Sequence, residues 1–129
     1  MTKNAMFSLL CSSLLALGAS AACAQQTQSI PLDGIPDNQE MRILTIELAP
    51  GQASAPHRHN AHVFVYVLEG EIEMQVRGGP LTRLQAGDSF YESPADIHQV
   101  SRNASSSAAA KFVVHMLRTA GTPVSIPVE

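Results

Sequence analysis

The sequence contains no tryptophan, and beyond residue 24 it contains no cysteine. Four Phe and two Tyr are its only aromatic residues apart from histidine, which leaves little platform for stacking bases or sugars. Its eight Lys and Arg are scattered, and the formal net charge is -3, so no basic patch marks a nucleic-acid binder. At 15% charged and 45% hydrophobic residues, the composition also excludes a chain kept unfolded by its polarity. No repeat of ~20–50 residues points to a solenoid. The strongly apolar stretch 6–17 falls short of the ~20 residues that a spanning helix requires. At 129 residues, one domain is the expectation.

The first 24 residues read as a leader. Lys3 gives a positive start, an apolar or small-residue segment follows, and Ala22-Cys23-Ala24 offers the small-x-small pattern of a signal-peptidase site. Cleavage after Ala24 sends the protein to the periplasm or the medium. The rival reading is a lipoprotein anchored at Cys23, but Ser20 stands where a lipobox has Leu. Removing Lys3, Cys11 and Cys23 leaves 105 residues with seven basic against eleven acidic side chains, a formal charge of -4. An exported chain of this kind has no disulfide and no thiol nucleophile, which excludes cysteine proteases and thiol oxidoreductases.

What remains is a succession of strand patterns. Residues 25–40 are polar, carry Pro31, Asp33-Gly34 and Pro36, and read as an extended arm with turns. The domain then spans 41–129. Residues 41–48 (MRILTIEL) place Leu44, Ile46 and Leu48 on one face. Residues 63–68 (VFVYVL) have no polar face apart from the Tyr66 hydroxyl, so this strand is expected to be covered on both sides. Residues 71–77 alternate cleanly between Ile72, Met74, Val76 and polar neighbours. Shorter strands follow at 81–84, 89–92 and 98–102, a stronger one at 111–118 (KFVVHMLR), and an extended tail at 123–129. Short strands separated by turn signals define an all-β sandwich or barrel.

Three of the five histidines crowd into His57, His59 and His62. In an extended chain, His57 and His59 project from one face and can reach a single metal ion from adjacent positions. Their setting resembles the first motif of the cupin family: glycine, five residues, histidine, one residue, histidine, three or four residues, glutamate, six residues, glycine. Here Gly51, His57, His59 and Gly70 fit that spacing. The second motif is matched in spacing by Gly87 and His98; Ser93 and Ala95 stand where it has proline and glycine, with Pro94 between them, and Asn103 comes one residue late.

The resemblance spans about residues 41–118 and implies a small antiparallel jelly-roll barrel with a divalent metal inside. It carries over His57, His59 and His98 as ligands. It does not carry over the ligand glutamate, whose position is Val63, nor the motif asparagine at 102, which is Arg102. Three imidazoles suffice for catalytic zinc and also suit Fe, Mn, Ni or Cu. Two residues are candidates for completing the set. His62 falls opposite Val63 by alternation and so points outward unless the turn is irregular. Glu92 is a ligand or base if it turns inward, which alternation does not decide so close to Pro94.

Val63, Val65, Met74 and His115 are the expected pocket-lining residues, with His115 otherwise a core histidine on an apolar strand. A metal in an apolar barrel suits a small organic substrate, and the resemblance implies dioxygenase-like or other Lewis-acid chemistry. The alternative is capture of a small ligand without turnover. The resemblance also implies a homodimer, which would cover the second face of 63–68; the arm or the tail is the other candidate for that cover.

Overall fold

The computed structural model describes residues 26–31, 34–36 and 38–129. The expected leader over 1–24, including Cys23 and the cleavage site at Ala24, lies outside them. All regular elements of the described residues are strands, in the order β1 (Gln26–Pro31), β2 (Gln39–Leu48), β3 (His57–Arg58), β4 (His62–Glu69), β5 (Glu71–Val76), β6 (Thr82–Gln85), β7 (Ser89–Glu92), β8 (His98–Asn103), β9 (Ala110–Thr119) and β10 (Ile126–Pro127). They form two five-stranded antiparallel sheets, β1-β2-β9-β4-β7 and β10-β3-β8-β5-β6. This is the all-β jelly roll expected from the strand pattern.

The core lies between the two sheets. Leu44 and Leu48 of β2, Val63, Val65 and Val67 of β4, Ile72 and Met74 of β5, and Phe112, Val114 and Met116 of β9 are all buried there. The period of two in each strand produces this layer directly. β2 and β9 pair over ten residues, from Gln39 opposite Thr119 to Leu48 opposite Ala110. Near the end of that ribbon, Arg118 is buried opposite Glu40, with Nη1 donating to the carboxylate at 3.1 Å and Nη2 donating to Thr122 Oγ1 at 2.8 Å. The turn between β4 and β5 requires glycine at position 70. Its φ is +74°, and a Cβ there would stand 2.6 Å from the Ala109 carbonyl oxygen.

Three sequence expectations change. The segment read as an extended arm with turns does not stand apart from the domain: Gln26–Pro31 is an edge strand, β1, paired along β2 from Gln26 opposite Thr45 to Pro31 opposite Glu40. The two-sided cover expected for 63–68 is absent among the described residues. Phe64 is 49% and Tyr66 47% exposed, because β1 sits at the far edge of the same sheet and no other described element covers this face.

The third change lies in β8. Val76 pairs with His98 and Gln75 with Val100, so Gln99 is an extra residue, a β-bulge. The bulge reverses the alternation and turns Ser101 and Asn103 inward. Asn103 therefore takes the buried position and Arg102 the exposed one, where its Nε donates to Glu73 at 2.7 Å. The Asn103 side-chain amide donates to the carbonyls of Leu48, Ala49 and Ala108 and accepts from the Ser105 backbone N–H, tying three segments together.

Candidate metal centre

His57 and His98 are direct cross-strand partners on β3 and β8. His59 follows β3 by one residue, and Glu92 ends β7 in the opposite sheet. The jelly roll thus brings together residues as much as 41 positions apart. One ring nitrogen from each of His57, His59 and His98 lies within 4.8 Å of the others, a spacing that one metal ion can bridge.

The imidazoles are oriented by the protein. His57 Nδ1 is 2.7 Å from the Ala55 carbonyl oxygen, and His59 Nδ1 is 2.7 Å from the Val124 carbonyl oxygen. A carbonyl only accepts, so each Nδ1 carries the proton and each Nε2 presents a lone pair. Those two Nε2 atoms meet at 3.1 Å. His98 Nδ1 faces Glu92 Oε1 at 3.1 Å, and its Nε2 is buried without any hydrogen-bond partner. A buried ring nitrogen without a protein partner, on one of three converging imidazoles, is a donor that a metal ion would satisfy. The donor set also fits chemically, since three imidazoles suit a divalent transition metal. Burial holds the His59 pKa below its usual 6.5, against the Val124 carbonyl and the Glu92 charge, so the ring stays neutral and available as a ligand.

The centre opens into a cavity of about 350 Å³, within the range of small-molecule sites. Its wall is mostly apolar, with Leu44, Val63, Val65, Met74, Phe112 and Val114 among its residues. Ser54, Ser101, Ser125 and Glu92 supply polar atoms, and no Lys or Arg is among the described residues lining it.

The other candidates separate cleanly. Glu92 turns inward and is 2% exposed. His62 points outward, where its Nδ1 lies 2.8 Å from the Tyr91 hydroxyl, and so stands apart from the ligand cluster. His115 does not line the cavity. It alternates with the inward Val114 and Met116, which places it on the outer face opposite Ile43 and Phe64. Sequence reasoning missed the tail's part in the site. β10 pairs with β3, Pro127 lies opposite His57, and Val124 supplies the acceptor for His59. Backbone carbonyls carry no residue-type signal, so no motif could have revealed this.

A cupin domain family profile matches residues 44–116, more than half of the chain, and the chain belongs to that family. Solved structures agree on the fold. A conserved protein with a double-stranded β-helix domain from Klebsiella pneumoniae is 22% identical with a TM-score of 0.58, over 78% of this chain and 86% of that one. An RmlC-like cupin from Shewanella frigidimarina is 21% identical with a TM-score of 0.55, over 74% and 87%. The dimethylsulfoniopropionate (DMSP) lyase DddQ from Ruegeria pomeroyi is 21% identical with a TM-score of 0.60, over 88% of this chain but 56% of the lyase chain. No curated protein matches the sequence.

Proposed function

We propose that this cupin is an exported metal-dependent enzyme acting on a small organic substrate that approaches the metal through oxygen. The observation that carries the reading is the convergence of one ring nitrogen from each of His57, His59 and His98 within 4.8 Å, with His98 Nε2 buried and without a partner among the described residues. His57, His59 and His98 hold the ion, one of Fe, Mn, Ni, Cu or Zn. When bound, it supplies Lewis-acid polarisation of a substrate oxygen and, if redox-active, a route to oxygen chemistry of the dioxygenase kind.

The chain's own residues set the rest. Three neutral ligands leave the ion's charge largely uncompensated, which favours an enolate, catecholate or keto-acid oxygen. The wall of Leu44, Val65, Phe112 and Val114 excludes water and selects an apolar body. With no Lys or Arg among the described lining residues, a phosphorylated or other multiply charged substrate would find no counter-charge there. Glu92, on the cavity wall, is the candidate to accept a substrate proton. Kinship in fold with the DMSP lyase adds elimination chemistry to the reactions worth assaying.

The test is elemental analysis of the untagged protein beside a His57→Ala/His98→Ala variant, followed by oxygen-uptake and product assays on enolisable carbonyl compounds. Near-stoichiometric metal and turnover, both lost in the variant, support the proposal. Metal and ligand binding without turnover supports instead a periplasmic ligand-binding cupin. No metal after reconstitution refutes both metal-based readings.

Export and dimerisation belong to the same proposal. The segment 6–24 supports a periplasmic or secreted location, checked by cell fractionation and N-terminal sequencing. The exposed Phe64, Tyr66 and Tyr91 support a homodimer, checked by sedimentation equilibrium.

A further inference from the structure

Glu92 is an acid in an unusual place. It is 2% exposed, and its ion-pair contacts among the described residues are His98, at 3.1 Å from Oε1, and His59, at 3.9 Å from Oε2. No lysine or arginine neutralises it there. A buried carboxylate that faces only imidazoles is costly to the fold unless positive charge joins it. Its position is equally telling. Glu92 on β7 is the direct cross-strand partner of Val63 on β4, the position at which the cupin motif would have its glutamate. Residues directly opposite each other in an antiparallel pair carry their side chains on the same face, with Cβ atoms ~5 Å apart. A carboxylate missing from one strand has its nearest substitute on the next.

We infer that Glu92 is the site's relocated carboxylate and acts as a positioning residue: its Oε1 accepts a hydrogen bond from His98 Nδ1–H, which leaves the His98 Nε2 lone pair to face the same point as the Nε2 atoms of His57 and His59. The three imidazoles then share one design. Each Nδ1 is turned to a protein acceptor, Ala55 O, Val124 O or Glu92 Oε1, at 2.7, 2.7 and 3.1 Å. Two of those acceptors are neutral carbonyls and the third is an acid. Such outer partners fix ring orientation and raise ligand basicity, and their loss costs ~10–100-fold in metal affinity. Glu92 would also return to the site, through the His98 ring and not by direct ligation, the negative charge that Val63 withholds.

The inference rests on the metal reading proposed above, and the experiment separates the two. Zinc and cobalt(II) dissociation constants are measured by chelator competition for the wild type, Glu92→Gln and the exchange variant Val63→Glu/Glu92→Val. Metal-free melting curves serve as the folding control. The expected result is a ~10–100-fold loss of affinity in Glu92→Gln with an unchanged cobalt(II) visible spectrum, because the number of protein ligands is unchanged. The exchange variant, with its carboxylate back on β4, should recover most of the loss.

Equal affinity in Glu92→Gln overturns the inference alone. A cobalt spectrum altered in Glu92→Gln overturns the positioning role in favour of direct ligation. A wild type that binds no metal overturns the metal reading and this inference together. Should Glu92→Gln fail to fold, the exchange variant decides: tight metal binding supports relocation, and loss of metal in a folded exchange variant refutes it.

Discussion

The two faces of the β1-β2-β9-β4-β7 sheet carry comparable residues to different ends. Inward, Val63, Val65, Phe112, Val114 and Met116 form an apolar wall, and Glu92 joins it beside His59 and His98. Outward, one residue step away on the same strands, stand His62, Phe64, Tyr66, Tyr91 and His115. Both faces carry apolar or aromatic bulk, and histidine stands on the outer face as well as on the sheet that faces the inner one, so residue type does not make the site. The histidines of the facing sheet differ in three ways: they converge, their Nδ1 atoms face protein acceptors, and the inner wall of the first sheet packs over them. His62 instead meets a tyrosine hydroxyl in the open. Sheet and strand parity, more than composition, separate the converging histidines from the surface ones.

The contrast can be broken most severely in the core. Phe112→Ala should cost roughly 3–5 kcal/mol in denaturant unfolding, because it opens a cavity in the inner wall. Phe64→Ala on the half-exposed outer face should cost under ~1 kcal/mol. Equal losses would show that the outer face is buried in solution, as a dimer would make it.

Next in size is the metal. If the ~10–16 kcal/mol of four-ligand zinc-finger sites is divided per ligand, His98→Ala should forfeit roughly 2.5–4 kcal/mol, or ~10²–10³-fold in dissociation constant. His62→Ala and His115→Ala should stay within about twofold of the wild type, since an exposed or outer-face ring makes no contact with the cluster. Isothermal titration of the four proteins measures this directly.

A subtler change is removal of residues 124–129. It deletes the carbonyl that holds His59 Nδ1 and the strand that pairs with His57. Metal affinity should fall ~10–100-fold, the usual cost of losing an outer partner. An unaltered affinity would mean that the tail does not orient the ring.

The smallest effect is one of pH on the metal-free protein. Burial holds the His59 pKa below 6.5, so the unfolded chain takes up a proton at a higher pH than the folded one. Between 6.5 and the lowered value the unfolded state binds more protons, and stability rises with pH. The His59 contribution is therefore fully present above 6.5 and lost as pH falls through that window. His59→Gln should flatten the slope of unfolding free energy against pH there, and a slope unchanged by the substitution would contradict the assignment.

Much of this architecture is legible in the residues, and its failures have physical causes. The alternation in 71–77 and the apolar faces of 41–48 and 111–118 identify real strands, because one side of each meets the core. The segment 63–68 misleads, because aromatic outer residues imitate a doubly covered strand while remaining half-exposed. Asn103 looks one residue out of place until the bulge at Gln99 restores its face, and a bulge has no signature in a list of residues. His115 is ambiguous as a lone histidine on an apolar strand; pairing with β2 and β4 resolves it to the outer face.

The sequence by itself determined the strand periods, the glycine turns and the His57, His59 and His98 spacing, because these depend on neighbours along the chain and on local backbone geometry. It also determined that position 63 holds no carboxylate. Only the tertiary structure decided that Glu92 stands beside that vacancy, that His98 Nε2 is buried without a partner, and that the tail's carbonyl orients His59. Those facts depend on cross-strand register and on the closing of one sheet over the other. Both are set by the summed burial of the whole core, which no local pattern contains.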